Sequence, residues 1–148
     1  MCLQKLLRSR RLHRHETSRG ELNELRAVVD RDLKDAAIRG LSSDRRFAVA
    51  YNAVQQLAKM VLACEGYRVS SSKGGQHATT FEAIGFILGP PHQAFIDYFD
   101  TCRQKRNQVN YNHAGLISDS EAIELVERAN EFRALVEEWV KQNHPQYT

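Results

Sequence analysis

Apolar residues recur every three or four positions along most of this chain, which is the spacing of helices that bury one face. Four long stretches carry this pattern, and capping or helix-breaking residues mark their ends. They run from Ser18 to Gly40, from Ser42 to Gly66, from Pro91 to His113 and from Ser118 to Pro145. A shorter apolar stretch, 78–88, stops at a Gly-Pro-Pro sequence that cannot continue a helix. No stretch alternates with period two for long enough to indicate a strand, and 67–76 has the composition of a polar loop.

This pattern predicts an all-α fold, an antiparallel up-and-down bundle of four long helices plus one short helix, because short loops join the predicted helices. A chain of 148 residues is the size of one domain with a sizeable core. We predict that residues 18–148 form the bundle domain and that residues 1–17 form a basic N-terminal arm.

The positive charge of the chain is concentrated at its beginning. The formal net charge is +3, but residues 1–19 hold six basic residues against one acid, which leaves the remainder slightly negative. A basic arm of this kind has two interpretations, a solvated terminus or a segment that contacts the phosphates of a nucleic acid.

The composition excludes several classes of protein. Apolar residues make up 42% and charged residues 26%, as in soluble domains, and no apolar run approaches the roughly 20 residues that span a bilayer. Three scattered cysteines, Cys2, Cys64 and Cys102, indicate reduced thiols in a cytoplasmic protein. No two of the six histidines have the i, i+4 spacing of a helical metal site, so we expect no metal and no other cofactor.

The helix before His113 carries two residues that an apolar face does not explain. Steps of three and four residues place one row on a single face: Phe95, Phe99, Cys102, Arg106, Val109 and His113. An arginine stays charged at any ordinary pH, and a buried charge without a partner is costly. Arg106 therefore needs a partner, a water-filled cleft or a functional role.

Two interpretations of Arg106 and His113 follow. In the structural one, Arg106 pairs with an acid of another helix and His113 caps the helix end, where the dipole favours a cation. In the functional one, Arg106 neutralises a phosphate and His113 acts as acid or base on a phosphodiester, with a ribose hydroxyl as nucleophile. Asp100 and Arg103, three residues apart, are expected to form a surface ion pair.

The chain has Arg106-Asn107 and then His113, with six residues between Arg106 and His113. This resembles the signature of the HEPN superfamily, which is an arginine, a polar residue and a histidine late in a helical bundle. The resemblance extends to residues 48–53 in an alanine-rich helix that ends at Gly66 and to Gly75-Gln76-His77 at the start of the next helix, and it covers about residues 20–143. It implies a small helical bundle that forms a homodimer and cleaves RNA without a metal. It also implies an antitoxin or a minimal nucleotidyltransferase as partner.

Carried over to this chain, the resemblance makes Arg106 and His113 the catalytic residues. The neighbouring residues expected to bind the substrate are Arg103, Asn107, Asn110 and Tyr111. The commonest form of the motif has its histidine five residues after the arginine, where this chain has Tyr111, whose phenol is a poor base at neutral pH. The alternative is therefore a non-catalytic module that binds RNA, a nucleotide or a partner protein through a degenerate site.

Overall fold

The computed structural model describes residues 2–71, 74–111 and 114–148, without the side chains of residues 109–111. The described chain is mostly helical, which confirms the all-α class. Its helices are α1 (Leu3–Arg8), α2 (Arg19–Ala36), α3 (Ser43–Cys64), α4 (Gln76–Leu88), α5 (Gln93–Tyr111) and α6 (Asp119–Asn143). Single 3₁₀ turns at Pro90–His92 and Pro145–Tyr147 follow α4 and α6, where the prolines were expected to interrupt the helices.

Serine side chains cap three of the long helices, as their sequences predict. The hydroxyls accept hydrogen bonds from backbone N–H groups three residues on, in the pairs Ser18–Glu21, Ser42–Arg45 and Ser118–Glu121. At the start of α6 the carboxylate of Glu121 also accepts from the backbone N–H of Ser118, which completes a capping box. These caps supply acceptors for amides that the helices themselves leave unpaired.

Helix α3 lies at the centre of the core. It is apolar on most sides, as expected of a helix with neighbours all round, and it packs against α2, α6, α4 and α5. Small side chains such as Ala50, Ala53 and Ala58, none of them exposed, let the neighbouring helices approach closely.

Helix α5 is held by aromatic packing and by one ion pair. Phe99 and Cys102 of its predicted apolar row are buried, Phe95 is partly buried, and Ile96 is buried as well. The buried face is wider than the predicted row. A helix has 3.6 residues per turn, so a row of residues spaced by three and four shifts gradually around the helix axis along its length. Lys105 donates a hydrogen bond to Glu121 at the start of α6, which fixes the second half of α5.

Residues 67–76 were expected to be a loop, but their first three residues form one strand of a two-stranded sheet. Strand β1 (Leu12–Arg14) pairs antiparallel with β2 (Tyr67–Val69), with Leu12 opposite Val69 and Arg14 opposite Tyr67. Each strand has three residues, which is too short for a period-two pattern to appear in the sequence.

The N-terminal segment is folded onto the helices. Leu6 of α1 and Leu12 of β1 are buried in the same hydrophobic core as the long helices. Arg11 donates hydrogen bonds to Thr79 and forms a 2.9 Å ion pair with Glu82, both on α4. Residues 3–14 are therefore attached to the helices through Leu6, Leu12 and Arg11, while several of their basic side chains, such as Arg8 and Arg14, are exposed.

Truncating Leu6 to alanine is expected to lower the free energy of unfolding by about 2–5 kcal/mol, because its fully buried side chain would leave a cavity. Urea denaturation measures the change. The matched control is Leu116→Ala, since Leu116 is 39% exposed and should lose much less. Equal losses for the two variants would contradict the placement of α1 in the core.

Candidate functional site

Arg106 lies on α5 with its guanidinium against α3. Its side chain is half-buried, and its central carbon lies 5.7 Å from the centroid of the Tyr51 ring, within the range of a cation–π contact. Its Nε is buried and has no hydrogen-bond partner in the described chain. Nor does any described carboxylate pair with it. The guanidinium thus lies near the Tyr51 ring, and no acid of the described chain neutralises its charge.

Arg103, one turn earlier, has a different environment. Its Nε lies 2.7 Å from Asp100, which confirms the ion pair predicted from their spacing. The hydrogen bond to Asp100 raises the pKa of Arg103 further. Its charge is largely balanced within its own helix. Arg103 is therefore a weaker candidate than Arg106 for a direct ligand contact.

Tyr51 is the aromatic residue that lies beside the Arg106 guanidinium. It is 2% exposed, and its hydroxyl oxygen accepts a 3.0 Å hydrogen bond from Nε2 of Gln55. The same oxygen lies 3.2 Å from Nδ1 of His77. Burial raises the pKa of the Tyr51 phenol, so the hydroxyl keeps its proton. The phenol oxygen therefore has two close polar neighbours, the Gln55 amide and Nδ1 of His77.

His77 lies at the surface in the first turn of α4. Partial burial is the main cause that lowers its pKa, and the positive charges of Lys59, Arg106 and Arg103 lower it further. The imidazole is therefore neutral at neutral pH. In a neutral imidazole one ring nitrogen carries the proton and the other accepts, and Nδ1 is the nitrogen that lies against the Tyr51 hydroxyl.

A cleft of about 460 Å³ lies beside His77 and Gln55, but neither Arg106 nor Tyr51 lines it. Its volume is within the usual size of ligand sites, roughly 300–1,000 Å³. It opens between α2, α3, β2 and the start of α4, and His77 and Gln55 are part of its wall. Lys59 and Glu24 also line it. The second carboxamide atom of Gln55, Oε1, is buried and has no partner among the described residues.

The structure brings together only part of the site predicted from sequence. Asn107 is exposed on α5 beside Arg106. The side chains of Asn110 and Tyr111, and the whole of His113, lie outside the described residues, so their predicted roles stay predictions. The sequence-based prediction did not include three residues of the candidate site: Tyr51, Gln55 and His77. Tyr51 has the spacing of an ordinary core residue, and a local signal beside it is Gln55, a polar residue one turn later on the same face of the helix.

The described part of the chain has neither a metal-type cluster of side chains nor a membrane-spanning helix. No group of three or more His, Cys, Asp or Glu side chains in residues 2–71, 74–111 and 114–148 has an arrangement that could hold a metal ion. Within the same ranges, every helix is too short or too polar to cross a bilayer.

Lowering the pH is expected to destabilise the fold through His77. Its folded pKa lies below its unfolded value of about 6.5, so the unfolded chain binds the proton first as the pH falls. The contribution of His77 to stability is therefore complete above its unfolded pKa and is lost as the pH falls through that value toward the folded pKa. Urea denaturation of wild type and of His77→Gln over this range measures the difference.

The glutamine variant should show a shallower loss of stability on acidification. The control is His92→Gln, at the opposite end of α4, which should follow the wild-type slope. A His77→Gln variant with the wild-type slope would contradict the environment described for His77.

The Arg106 guanidinium can therefore bind an anion. It is half-buried and has no acid partner in the described chain, and the Tyr51 ring beside it is in turn a neighbour of His77. The comparisons with known proteins add no assignment. No protein-family model, no curated protein and no solved structure matches the chain.

Proposed function

We propose that this chain is a cytoplasmic RNA-binding protein of HEPN type that holds an RNA phosphate at Arg106. The observation that carries the proposal is the environment of its guanidinium: half-buried, against the Tyr51 ring, and unpaired with any carboxylate of the described chain. A structural arginine on a helix face would have had such a partner.

The chemistry of the guanidinium agrees with a phosphate ligand. Arginine presents a planar set of donors that match two phosphate oxygens at once, and stacking on an aromatic ring restricts its motion before the ligand arrives. The neighbouring cations Lys59 and Arg103 lie close enough to act on His77 together with Arg106, so an approaching anion meets several positive charges.

The catalytic form of this function is metal-independent cleavage of RNA. In this form His113 is the acid–base residue, and it takes the proton of the ribose 2′-hydroxyl. The 2′-oxygen then attacks phosphorus, the 5′-oxygen leaves and takes up a proton, and a 2′,3′-cyclic phosphate is formed. Arg106 stabilises the charge that develops on the phosphoryl oxygens. The antiparallel bundle, the homodimer and the antitoxin or nucleotidyltransferase partner implied by the HEPN resemblance belong to the same proposal.

The second candidate is a non-catalytic module that binds RNA, a nucleotide or a partner protein at Arg106. One observation favours it: Tyr111 occupies the place where the commonest motif has its histidine, and an unperturbed phenol, with a pKa of about 10, is a poor general base.

Incubation of the purified protein with RNA in the presence of a chelator tests the proposal. The proteins compared are the wild type, Arg106→Ala, His113→Ala and the control Arg133→Ala, whose arginine is paired with Asp30. Cleavage that is lost in the first two variants and kept in the control supports the catalytic form. Intact RNA with binding that depends on Arg106 supports the module. Cleavage or binding unaffected by Arg106→Ala would refute both.

A further inference from the structure

We infer that His77 is the second anion-binding residue of the Arg106 site and donates its Nε2–H to a phosphate oxygen of the bound RNA. This inference rests on the proposed function and names a residue that neither the HEPN-like motif nor the helical spacing of α5 includes. It also places the site on three helices, with Arg106 from α5, Tyr51 from α3 and His77 from α4.

Tyr51 is a shared neighbour of the two donors. The guanidinium carbon of Arg106 lies 5.7 Å from the centroid of the Tyr51 ring, and the centroid of the His77 ring lies 5.9 Å from it. Tyr51 itself is 2% exposed, so its ring is a fixed support inside the core. His77 is exposed, which leaves its outer ring nitrogen available to a ligand.

The hydrogen bonds of Tyr51 determine which nitrogen of His77 carries the proton. The Gln55 amide donates to the phenol oxygen at 3.0 Å, and Nδ1 of His77 lies 3.2 Å from the same oxygen. Our inference takes the phenol as the donor in the second contact, because its oxygen already accepts from Gln55. The neutral imidazole therefore presents Nε2–H on its outer side. In this state His77 is a hydrogen-bond donor without a free lone pair, so it binds an anion and leaves acid–base chemistry to another residue.

The charges around His77 make its contribution dependent on pH. It faces Tyr51 and Lys59 from α3, and Arg103 and Arg106 from α5. The adjoining cleft adds further titratable groups: His15, Glu21 and Glu24 on its α2 side and Arg68 from β2. A bound phosphate would offset the cations and favour the imidazolium, so RNA affinity should rise as the pH falls, through a charge-assisted bond from Nε2.

Fluorescence anisotropy with a labelled single-stranded RNA measures this contribution. Replacing His77 with alanine should weaken binding about 5- to 10-fold at neutral pH, the effect of losing one ordinary hydrogen bond at a solvent-exposed site. His77→Gln retains an N–H donor and should lose less, but it should also lose the rise in affinity on acidification. The control is His92→Ala, which removes a histidine at the other end of α4 and should bind as the wild type does.

Tyr51→Phe separates the support of Arg106 from the orientation of His77. The variant keeps the ring beneath the guanidinium and removes the hydroxyl that donates to Nδ1. Nitrogen-15 NMR of the imidazole should show the Nε2–H form in the wild type and a mixture of the two neutral forms in Tyr51→Phe. Thermal melts of each variant verify that it is folded at the temperature of the measurement.

The outcomes distinguish this inference from the proposed function. Wild-type affinity in His77→Ala, together with weakened binding in Arg106→Ala, overturns the inference and leaves the proposed function standing. An imidazole protonated at Nδ1 in the wild type also overturns it. Wild-type affinity in Arg106→Ala overturns the proposed function itself, and with it the shared site.

Discussion

Replacing Arg106 with alanine is expected to weaken RNA binding by at least about 10-fold and to remove about one phosphate contact from the salt dependence. The reason is that its guanidinium has no described acid partner to neutralise it, so its charge is available to the ligand. Binding titrations at several salt concentrations measure both quantities, because each phosphate contact releases counterions and steepens the dependence on salt.

Two further arginine variants refine this expectation. Arg106→Lys keeps the charge but loses the planar donor pair and the stacking on Tyr51, so its affinity should lie between those of the wild type and the alanine variant. Arg103→Ala should lose less than Arg106→Ala, because Asp100 already pairs with Arg103 at 2.7 Å. An Arg103→Ala variant that binds more weakly than Arg106→Ala would show that the phosphate contact has been assigned to the wrong arginine.

Truncation of Phe99 to alanine is expected to lower the free energy of unfolding by about 3–5 kcal/mol, among the largest losses available in this fold. Phe99 has no exposed surface. Its ring contacts four others, at centroid distances of 5.0–6.3 Å, from Phe81, Phe95, Tyr98 and Phe132. The cluster joins α4, α5 and α6, so a cavity at its centre loosens three helices together.

Denaturant unfolding measures this loss, with Phe86→Ala as the matched control. Phe86 is on α4 and is 41% exposed, so its truncation should cost much less. Phe99→Leu retains most of the volume and should fall between the two. A loss for Phe99→Ala no larger than that for Phe86→Ala would mean that α5 is not held through this cluster.

The helices were predictable because their signals are local. The serine at position 118 and the glutamate at 121 satisfy the same helix end whatever surrounds them, so the capping box in the sequence appears in the structure. The strands were not predictable, since β1 and β2 are three residues each and their stability comes from a partner far along the chain. The burial of Leu6 and Leu12 could not be predicted for the same reason. It depends on contacts with helices outside the basic segment that contains them.

Only the part of the candidate site that lies on one helix, α5, could be predicted from the sequence. The spacing of Phe99, Cys102 and Arg106 identified an arginine on the inner side of α5. That Tyr51 lies against the guanidinium, and that His77 hydrogen-bonds to Tyr51, depends on how α3 and α4 pack against α5, which no local pattern encodes. His77 has no spacing relationship to Arg106, so its position beside the site could be recognised only in three dimensions.

The pairing of β1 with β2 has a consequence for the order of folding. The two strands are separated by all of α2 and α3, so the loop between them is closed only after both helices have been made and brought together. Closing so long a loop costs entropy that is recovered only when the helices already hold its ends near each other. We therefore expect α1 and β1 to be among the last elements to reach their final positions. Refolding monitored by hydrogen exchange should show amides of Leu12–Arg14 protected after those of α3.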